Sequence, residues 1–331
     1  MKNFLLSCDW GTSSFRLKLI HTDTHTTVAE VCSNTDGIAA VYQDWKRRSG
    51  QEKTERETFY LGTLKSKIEL LAKKASTPLE GVPVVISGMA GSSIGMKEIP
   101  YASLPFALDG SSAKMHTLPV TSNFPYQLML ISGLCGENEV MRGEETQMIG
   151  LSSVDRRTLD KDGSTWIFPG THSKHIEIAK GEIVTFRTYI TGELFNLLHN
   201  YSILNECVFP PVDEEELDPV NHRAFCKGVN RSGESTLLNT LFSVRTNYLF
   251  QYLSSRENFF YLSGLLIGTE LKALLKKDGP FILCSDARLF SLYCLAFKEL
   301  NLFDQLLVIP PEVVANAASE GHLKVFRNKR K

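Results

Sequence analysis

The chain has 331 residues, 43% hydrophobic and 22% charged, with a formal net charge of -1 and an isoelectric point near 6.7. This composition fits a soluble globular protein of two domains, and it lacks the basic excess that a nucleic-acid or anionic-membrane footprint needs. No stretch approaches the ~18 apolar residues of a membrane span, and "MKNFLLSCDWG" breaks at Asp9 before a signal segment could form. Seven cysteines, at 8, 32, 135, 207, 226, 284 and 294, show no CxxC spacing, which predicts reduced thiols in a cytoplasmic protein. The basic end, "FRNKRK", reads as a solvated terminus.

In chain order, residues 3–9, 14–21 and 26–33 read as three strands of a meander. In the second, Phe15, Leu17 and Leu19 alternate with Arg16 and Lys18, the period-two pattern of a half-buried strand. Residues 55–76 read as a helix, with Phe59, Leu64, Ile68, Leu71 and Ala72 near one face. "VPVVISG" (82–88) is a buried strand entering a glycine turn, followed by a loop-rich zone over 89–126 with strands at 98–104 and 116–121. Residues 139–151 read as a helix.

Residues 164–189 repeat the opening design: strand, Gly-Thr turn, strand, Lys180-Gly181 turn, strand. Helices are predicted over 191–199, 214–228, 236–253, 257–277, 287–299 and 311–321, with strands at 280–286 and 305–310. The chain thus reads as two halves of one plan, each a meander followed by helix and strand. The fold class is α/β, mixed sheets flanked by helices. The acidic piece 210–222 is a linker or a helix start.

Two turns carry the chemistry. In "DWGTSS" a strand delivers Asp9, and Gly11, Thr12, Ser13 and Ser14 form a small concavity of hydroxyls and N–H groups suited to an anion, with Gly11 free to take a positive φ. In "PGTHSK" a second strand delivers Gly170, Thr171, His172, Ser173 and Lys174. Each alone is ordinary turn chemistry; the pair can grip one phosphate chain. His172 and His175 do not make a metal pair, because positions i and i+3 of a strand face opposite ways. Ser173 and Lys174 are candidate phosphate or substrate contacts. Between the turns, "MRGEETQMIG" places Glu144 and Glu145 at a helix start, either one a candidate general base, with the planar fork of Arg142 available for a carboxylate or phosphate. "ISGMAGSSIG", holding Ser87, Gly88, Met89 and Ser92, suggests a close-approach loop for a polar ligand.

"DWGTSSFR", "SGMAGS", "MRGEETQ", "PGTHSK" and "FRTYITGELF" together resemble the 2-dehydro-3-deoxygalactonokinase family, within the sugar kinase/actin/Hsp70 superfamily; the resemblance runs over residues 3–320. It implies two ribonuclease-H-like lobes of duplicated topology, divided as 1–135 and 136–331, with ATP in the cleft. It also implies a kinase acting on the C6 hydroxyl of 2-dehydro-3-deoxygalactonate. By the same resemblance Asp9 acts through Mg²⁺, with Glu144 or Glu145 as base. Gly11, Thr12, Ser13, Gly170 and Thr171 hold phosphates, and Arg142, Ser87, Gly88, Met89 and Ser92 hold the sugar acid. The adenosine region matches 281–297, where Ser285-Asp286-Ala287-Arg288 stands in place of the family's glycine turn; Ser285 and Asp286 are candidates for the ribose. Gly264 and Gly268 either permit helix packing or make room for adenine. The alternatives are a kinase of another small sugar or sugar acid on this fold, or a non-catalytic actin-like ligand sensor. A homo-oligomer is allowed. Arg16 has no assignment.

Overall fold

The computed structural model describes residues 3–52, 55–152, 163–210 and 217–329. The chain divides into two compact units. The first comprises Met1–Asp162, Ala179–Thr185 and Glu312–Lys331; the second comprises Gly163–Ile178 and Phe186–Pro311.

The first unit is built on a sheet ordered β3-β2-β1-β4-β8-β7. Its meander is β1 (Phe4–Trp10), β2 (Phe15–His21) and β3 (Thr27–Ser33), paired antiparallel. β4 (Val84–Gly88) lies parallel to β1, and β8 (Leu128–Ile131) parallel to β4; β7 (Met115–Leu118) closes the edge antiparallel. Between these run β5 (Ala102–Ser103) and β6 (Phe106–Ala107), and after them β9 (Leu134–Cys135) and β10 (Val140–Met141), which form a small sheet β10-β9-β5.

Period-two alternation sends Leu6, Cys8 and Trp10 of β1 to one face. There they join Tyr60, Leu64, Ile68 and Leu71 of α2 (Arg56–Ala75) in the core. The sequence pattern leaves residues 34–54 unassigned, and α1 (Ile38–Glu52) forms there. Its start is fixed by the first turn: Ile38 and Ala39 donate their N–H groups to the Gly11 and Thr12 carbonyls at 3.0 and 3.1 Å.

The other face of β1 and β2 is not in water, as the polar alternation suggests. It is covered by α9 (Pro311–Asn328), which extends past the predicted end at 321. Ser7 Oγ meets His322 Nδ1 at 2.7 Å, and Lys18, only 8% exposed, gives its ammonium to Ala315 O and Asn316 Oδ1. The same helix carries α3 (Glu144–Leu151): a Cβ at Gly150 would stand 1.9 Å from Ala317 O, and one at Gly321 2.0 Å from Thr146 O. This backbone-to-backbone packing ties α3 to α9 within the first unit.

The second unit repeats the plan. β11 (Ser164–Phe168), β12 (Ser173–Ala179) and β13 (Glu182–Tyr189) form the meander, and β14 (Phe281–Cys284) and β15 (Leu306–Ile309) follow parallel to β11. The order β15-β14-β11-β12-β13 matches β8-β4-β1-β2-β3, so the duplication is one of topology. Within Ala179–Thr185, Glu182 and Ile183 pair with Ala107 and Phe106 of β6.

The helices of this unit are α4 (Thr191–Tyr201), α5 (Pro219–Arg231), α6 (Leu237–Leu249), α7 (Ser255–Leu271) and α8 (Ala287–Glu299). The predicted helix start at 214–216 lies outside the described residues. A Cβ at Gly264 would be 2.1 Å from Phe225 O, and one at Gly268 3.0 Å from Val229. Those glycines admit α5 against α7; the space that could have taken adenine is filled by backbone. Among the described residues no helix is long and apolar enough to cross a membrane.

Candidate active site

In the first unit the carboxyl ends of three parallel strands, β1, β4 and β8, converge on one rim, the usual ligand side of such sheets. Near the end of β1 stands Asp9, whose register partners are Arg16 on β2 and Ser87 on β4. Arg16 Nη1 lies 3.4 Å from Asp9 Oδ2. Burial pushes the Asp9 carboxyl above its ordinary range. Arg16 opposes this, and the negative charge of Glu144 adds to it. Asp9 and Glu144 therefore share one electrostatic site.

The turn after Asp9 is closed by Gly11 N–H donating to Ser14 O at 2.9 Å. The N–H groups of Thr12 and Ser13 take no acceptor among the described residues, while the Gly11 and Thr12 carbonyls are capped by α1. Gly11 does not use a positive φ, as expected of it; that conformation falls to Gly88 (φ 88°) and Gly143 (φ 116°). A Cβ on Gly88 would sit 2.7 Å from Trp10 O and 3.5 Å from Asp9 Oδ1, and one on Gly143 would sit 3.6 Å from Gly88 Cα. The ends of β1 and β4 and the start of α3 thus meet at bare backbone, which brings Asp9 and Glu144 to one place.

The two adjacent glutamates differ sharply. Glu145 is fully buried, its Oε2 accepting Gly143 N–H at 2.8 Å and its Oε1 the Thr146 hydroxyl at 2.9 Å. Burial, and then the charge of Glu144, push its pKa up to about 8. It braces its own helix start. Glu144 is half-buried and lies in the field of Asp9.

Arg142 stacks on Tyr101, its guanidinium carbon 3.9 Å from the ring centroid, and gives Nη2 to Ile99 O at 3.1 Å. Its Nε and Nη1 are buried and make no hydrogen bond among the described residues; the same holds for Ser87 Oγ and Ser132 Oγ. Gly91 and Gly133 leave room around it, their Cβ positions falling 3.2 Å from Nη1 and 2.4 Å from Arg142 Cγ. Of the loop residues, Met89 packs partly against the core, and Ser92 donates its hydroxyl to Met89 O at 2.7 Å, which shapes the loop.

In the second unit, Gly170 and Thr171 occupy the β11–β12 turn, the topological counterpart of the Gly11–Ser14 turn. Here too the glycine does not use a positive φ. Ser173 and Lys174 are buried at the start of β12, and Lys174 donates to His172 O at 3.0 Å. His172 pairs with Glu193, whereas His175 is buried against Glu270.

Ser285, 1% exposed, donates its hydroxyl to Asp286 O at 3.0 Å, and Asp286 Oδ1 caps α8 by accepting Leu289 N–H at 3.0 Å. The departure from the family's glycine turn is thus a well-formed helix cap. Among the described residues, no group of three His, Cys, Asp or Glu side chains is gathered for a metal. A cavity of about 760 Å³ beside α5, α6 and α7, lined by Arg223, Lys227, Asn247 and Tyr261 among others, contains none of the predicted site residues.

A sequence profile of the 2-keto-3-deoxy-galactonokinase family matches residues 9–317. The chain belongs to this family. Its curated relatives include a probable 2-dehydro-3-deoxygalactonokinase of Rhizobium meliloti (strain 1021), 30% identical over 83% of this chain and 82% of that one. They also include the 2-dehydro-3-deoxygalactonokinase of Escherichia coli (strain K12), 36% identical over 59% of this chain and 62% of that enzyme.

A crystal structure assigned as a 2-dehydro-3-deoxygalactonokinase, from Sinorhizobium meliloti, superposes with a TM-score of 0.77 at 26% identity, covering 98% of this chain and 96% of that one. At the level of fold alone, the 2-hydroxyisocaproyl-CoA dehydratase activator of Clostridium difficile matches with a TM-score of 0.50 at 12% identity over 99% of this chain and 97% of that one. Both units of this 2-keto-3-deoxy-galactonokinase family member carry the same strand order, β3-β2-β1-β4-β8 in the first and β13-β12-β11-β14-β15 in the second.

Sequence reasoning missed Tyr101, Ser132 and Gly133, which come from two separate loops and carry no local signature. Arg16 could have been found from the hairpin, since closing a turn over residues 11–14 sets position 16 opposite position 9.

Proposed function

We propose that the chain transfers the γ-phosphoryl group of ATP to the C6 hydroxyl of 2-dehydro-3-deoxy-D-galactonate. As a member of this family it is a sugar-acid kinase that uses ATP and a divalent cation. The observation that carries the choice of an acidic substrate is Arg142. Its Nε and Nη1, which lie on opposite sides of the guanidinium, are both buried without a partner among the described residues, beside a ring that fixes the plane. A carboxylate is a group that accepts a charge-assisted hydrogen bond from such a permanently charged, unfilled donor. Ser87 and Ser132, whose hydroxyls are likewise unfilled, are the proposed contacts to the sugar hydroxyls, with Gly88, Met89 and Ser92 shaping the loop beside them.

Glu144 is the proposed general base, since it is half-buried and its charge acts on Asp9 at the same site, whereas Glu145 is fully buried and bonded to Gly143 and Thr146. The unfilled N–H groups of Thr12 and Ser13 serve the transferred phosphate, and the Gly170-Thr171 turn serves the nucleotide phosphates. The cation is Mg²⁺ in this reading, held through Asp9. A single partly exposed carboxylate fits an ion that keeps most of its waters. When bound, Mg²⁺ neutralises charge on the phosphate oxygens. Asp9 orients it, Glu144 takes the C6 hydroxyl proton, and Arg142 fixes the acid end so that the hydroxyl is in line.

A coupled assay tests this with three acceptors: 2-dehydro-3-deoxygalactonate, its gluconate epimer, and a 3-deoxy sugar lacking the carboxylate. The acid is expected to be phosphorylated and the neutral sugar hardly at all; equal rates on both would refute the carboxylate role of Arg142.

A further inference from the structure

The second unit buries a carboxylate for which neither the fold nor the proposed chemistry has an obvious use. Glu270, near the end of α7, is 2% exposed. A carboxylate taken out of water is costly unless its oxygens are filled. Here three donors from three elements fill them: His175 Nε2 lies 3.1 Å from Oε1, the Tyr293 hydroxyl donates to Oε2 at 2.8 Å, and the Thr191 hydroxyl donates to Oε2 as well.

Two of these donors lead back to the β11–β12 turn. Because Tyr293 gives its proton to Glu270, its oxygen is left to accept from Ser173, 3.2 Å away. Ser173 Oγ then offers a lone pair to Gly170 N–H, at 3.3 Å. One anion thus sets the direction of a relay that ends on the backbone of the turn. Thr191 opens α4, whose next residues lie on the same turn: a Cβ at Gly192 would be 2.6 Å from Gly170 O, and Glu193 N–H donates to Thr171 O at 3.0 Å.

We propose that Glu270 is a positioning residue that holds the Gly170-Thr171 turn in its phosphate-binding shape, through Tyr293 and Ser173 behind the turn and through Thr191 at the head of α4. This rests on the reading of that turn as a nucleotide-phosphate site. It also refines that reading. The N–H of Gly170 is spent inside the protein, and the donors left for phosphate are those of Thr171 and His172, which take no acceptor among the described residues.

The test uses full-length Tyr293→Phe, Glu270→Gln and Glu270→Leu. ATP affinity is read by calorimetry without sugar acid, KM is measured for both substrates, and a thermal midpoint reports the fold. Tyr293→Phe keeps the ring and cuts the relay; it is expected to weaken ATP binding about tenfold while the sugar-acid KM stays put. Glu270→Leu is expected to weaken ATP further. Glu270→Gln is expected to recover most of that loss, because its carbonyl still accepts both hydroxyls and its amide meets the other tautomer of His175.

Tyr293→Phe and Glu270→Gln proteins with unchanged midpoints and wild-type ATP affinity in both Tyr293→Phe and any folded Glu270→Leu would overturn the proposal. A wild-type protein that binds no ATP would instead overturn the phosphate reading of the turn, and the proposal with it.

Discussion

Asp9 and Arg16 stand opposite each other in the β1–β2 hairpin, with the guanidinium 3.4 Å from the carboxylate that burial pushes up. Arg16 opposes the rise that burial imposes on the Asp9 carboxyl. In Arg16→Ala the Asp9 pKa rises, so the acid limb of kcat/KM against pH is expected to move to higher pH with the alkaline limb unchanged.

Asp9 also links activity to stability. Its folded-state pKa is raised, so its contribution to stability is full below the ordinary aspartate pKa and is lost as pH rises through the folded value. Asp9→Asn, which never ionises, is expected to abolish turnover and yet to melt higher than wild type at neutral pH. A scan of melting temperature against pH, with the two curves meeting in acid, checks this.

The glutamate pair separates base from brace. Glu144→Gln is expected to lower kcat by roughly 10²–10⁴-fold with the fold intact. Glu145→Gln mimics the protonated acid and is expected to keep kcat within a small factor. Its signature is in stability: the wild-type Glu145 pKa is raised to about 8, so the wild type loses stability as pH climbs from the ordinary glutamate range toward 8, and Glu145→Gln should not. A kcat collapse in Glu145→Gln alone would reverse the assignment.

Arg142→Lys keeps the charge and loses the planar edge over Tyr101. The expected result is a sugar-acid KM raised roughly tenfold or more, with the KM for ATP unmoved. Initial rates with each substrate varied in turn decide it.

Gly192→Ala forces a methyl to 2.6 Å from the Gly170 carbonyl. Overpacking of this kind costs about 1–3 kcal/mol, and the shift falls on the β11–β12 turn. The thermal midpoint is expected to drop and the KM for ATP to rise, leaving the sugar-acid KM unchanged.

Periodicity and turn chemistry alone determined the two meanders, most of the helices and the candidate residues Asp9, Arg142 and the glutamate pair, because these depend on neighbours a few positions away. They did not mark α1, whose start is set by the carbonyls of Gly11 and Thr12, or the short strand β8, whose four apolar residues fit more than one element.

Tertiary structure alone decided which of two adjacent glutamates is consumed, since that rests on Gly143 N–H and the depth of burial. It also decided that the polar face of β2 is covered, because Lys18 finds its partners 297 and 298 residues further along the chain. And it decided that Arg142 holds two donors in reserve beside Tyr101, where Gly91 and Gly133 leave the space. A local pattern fixes which way a side chain points; what fills its hydrogen bonds, and what stays unfilled for a substrate, comes from segments brought together by folding.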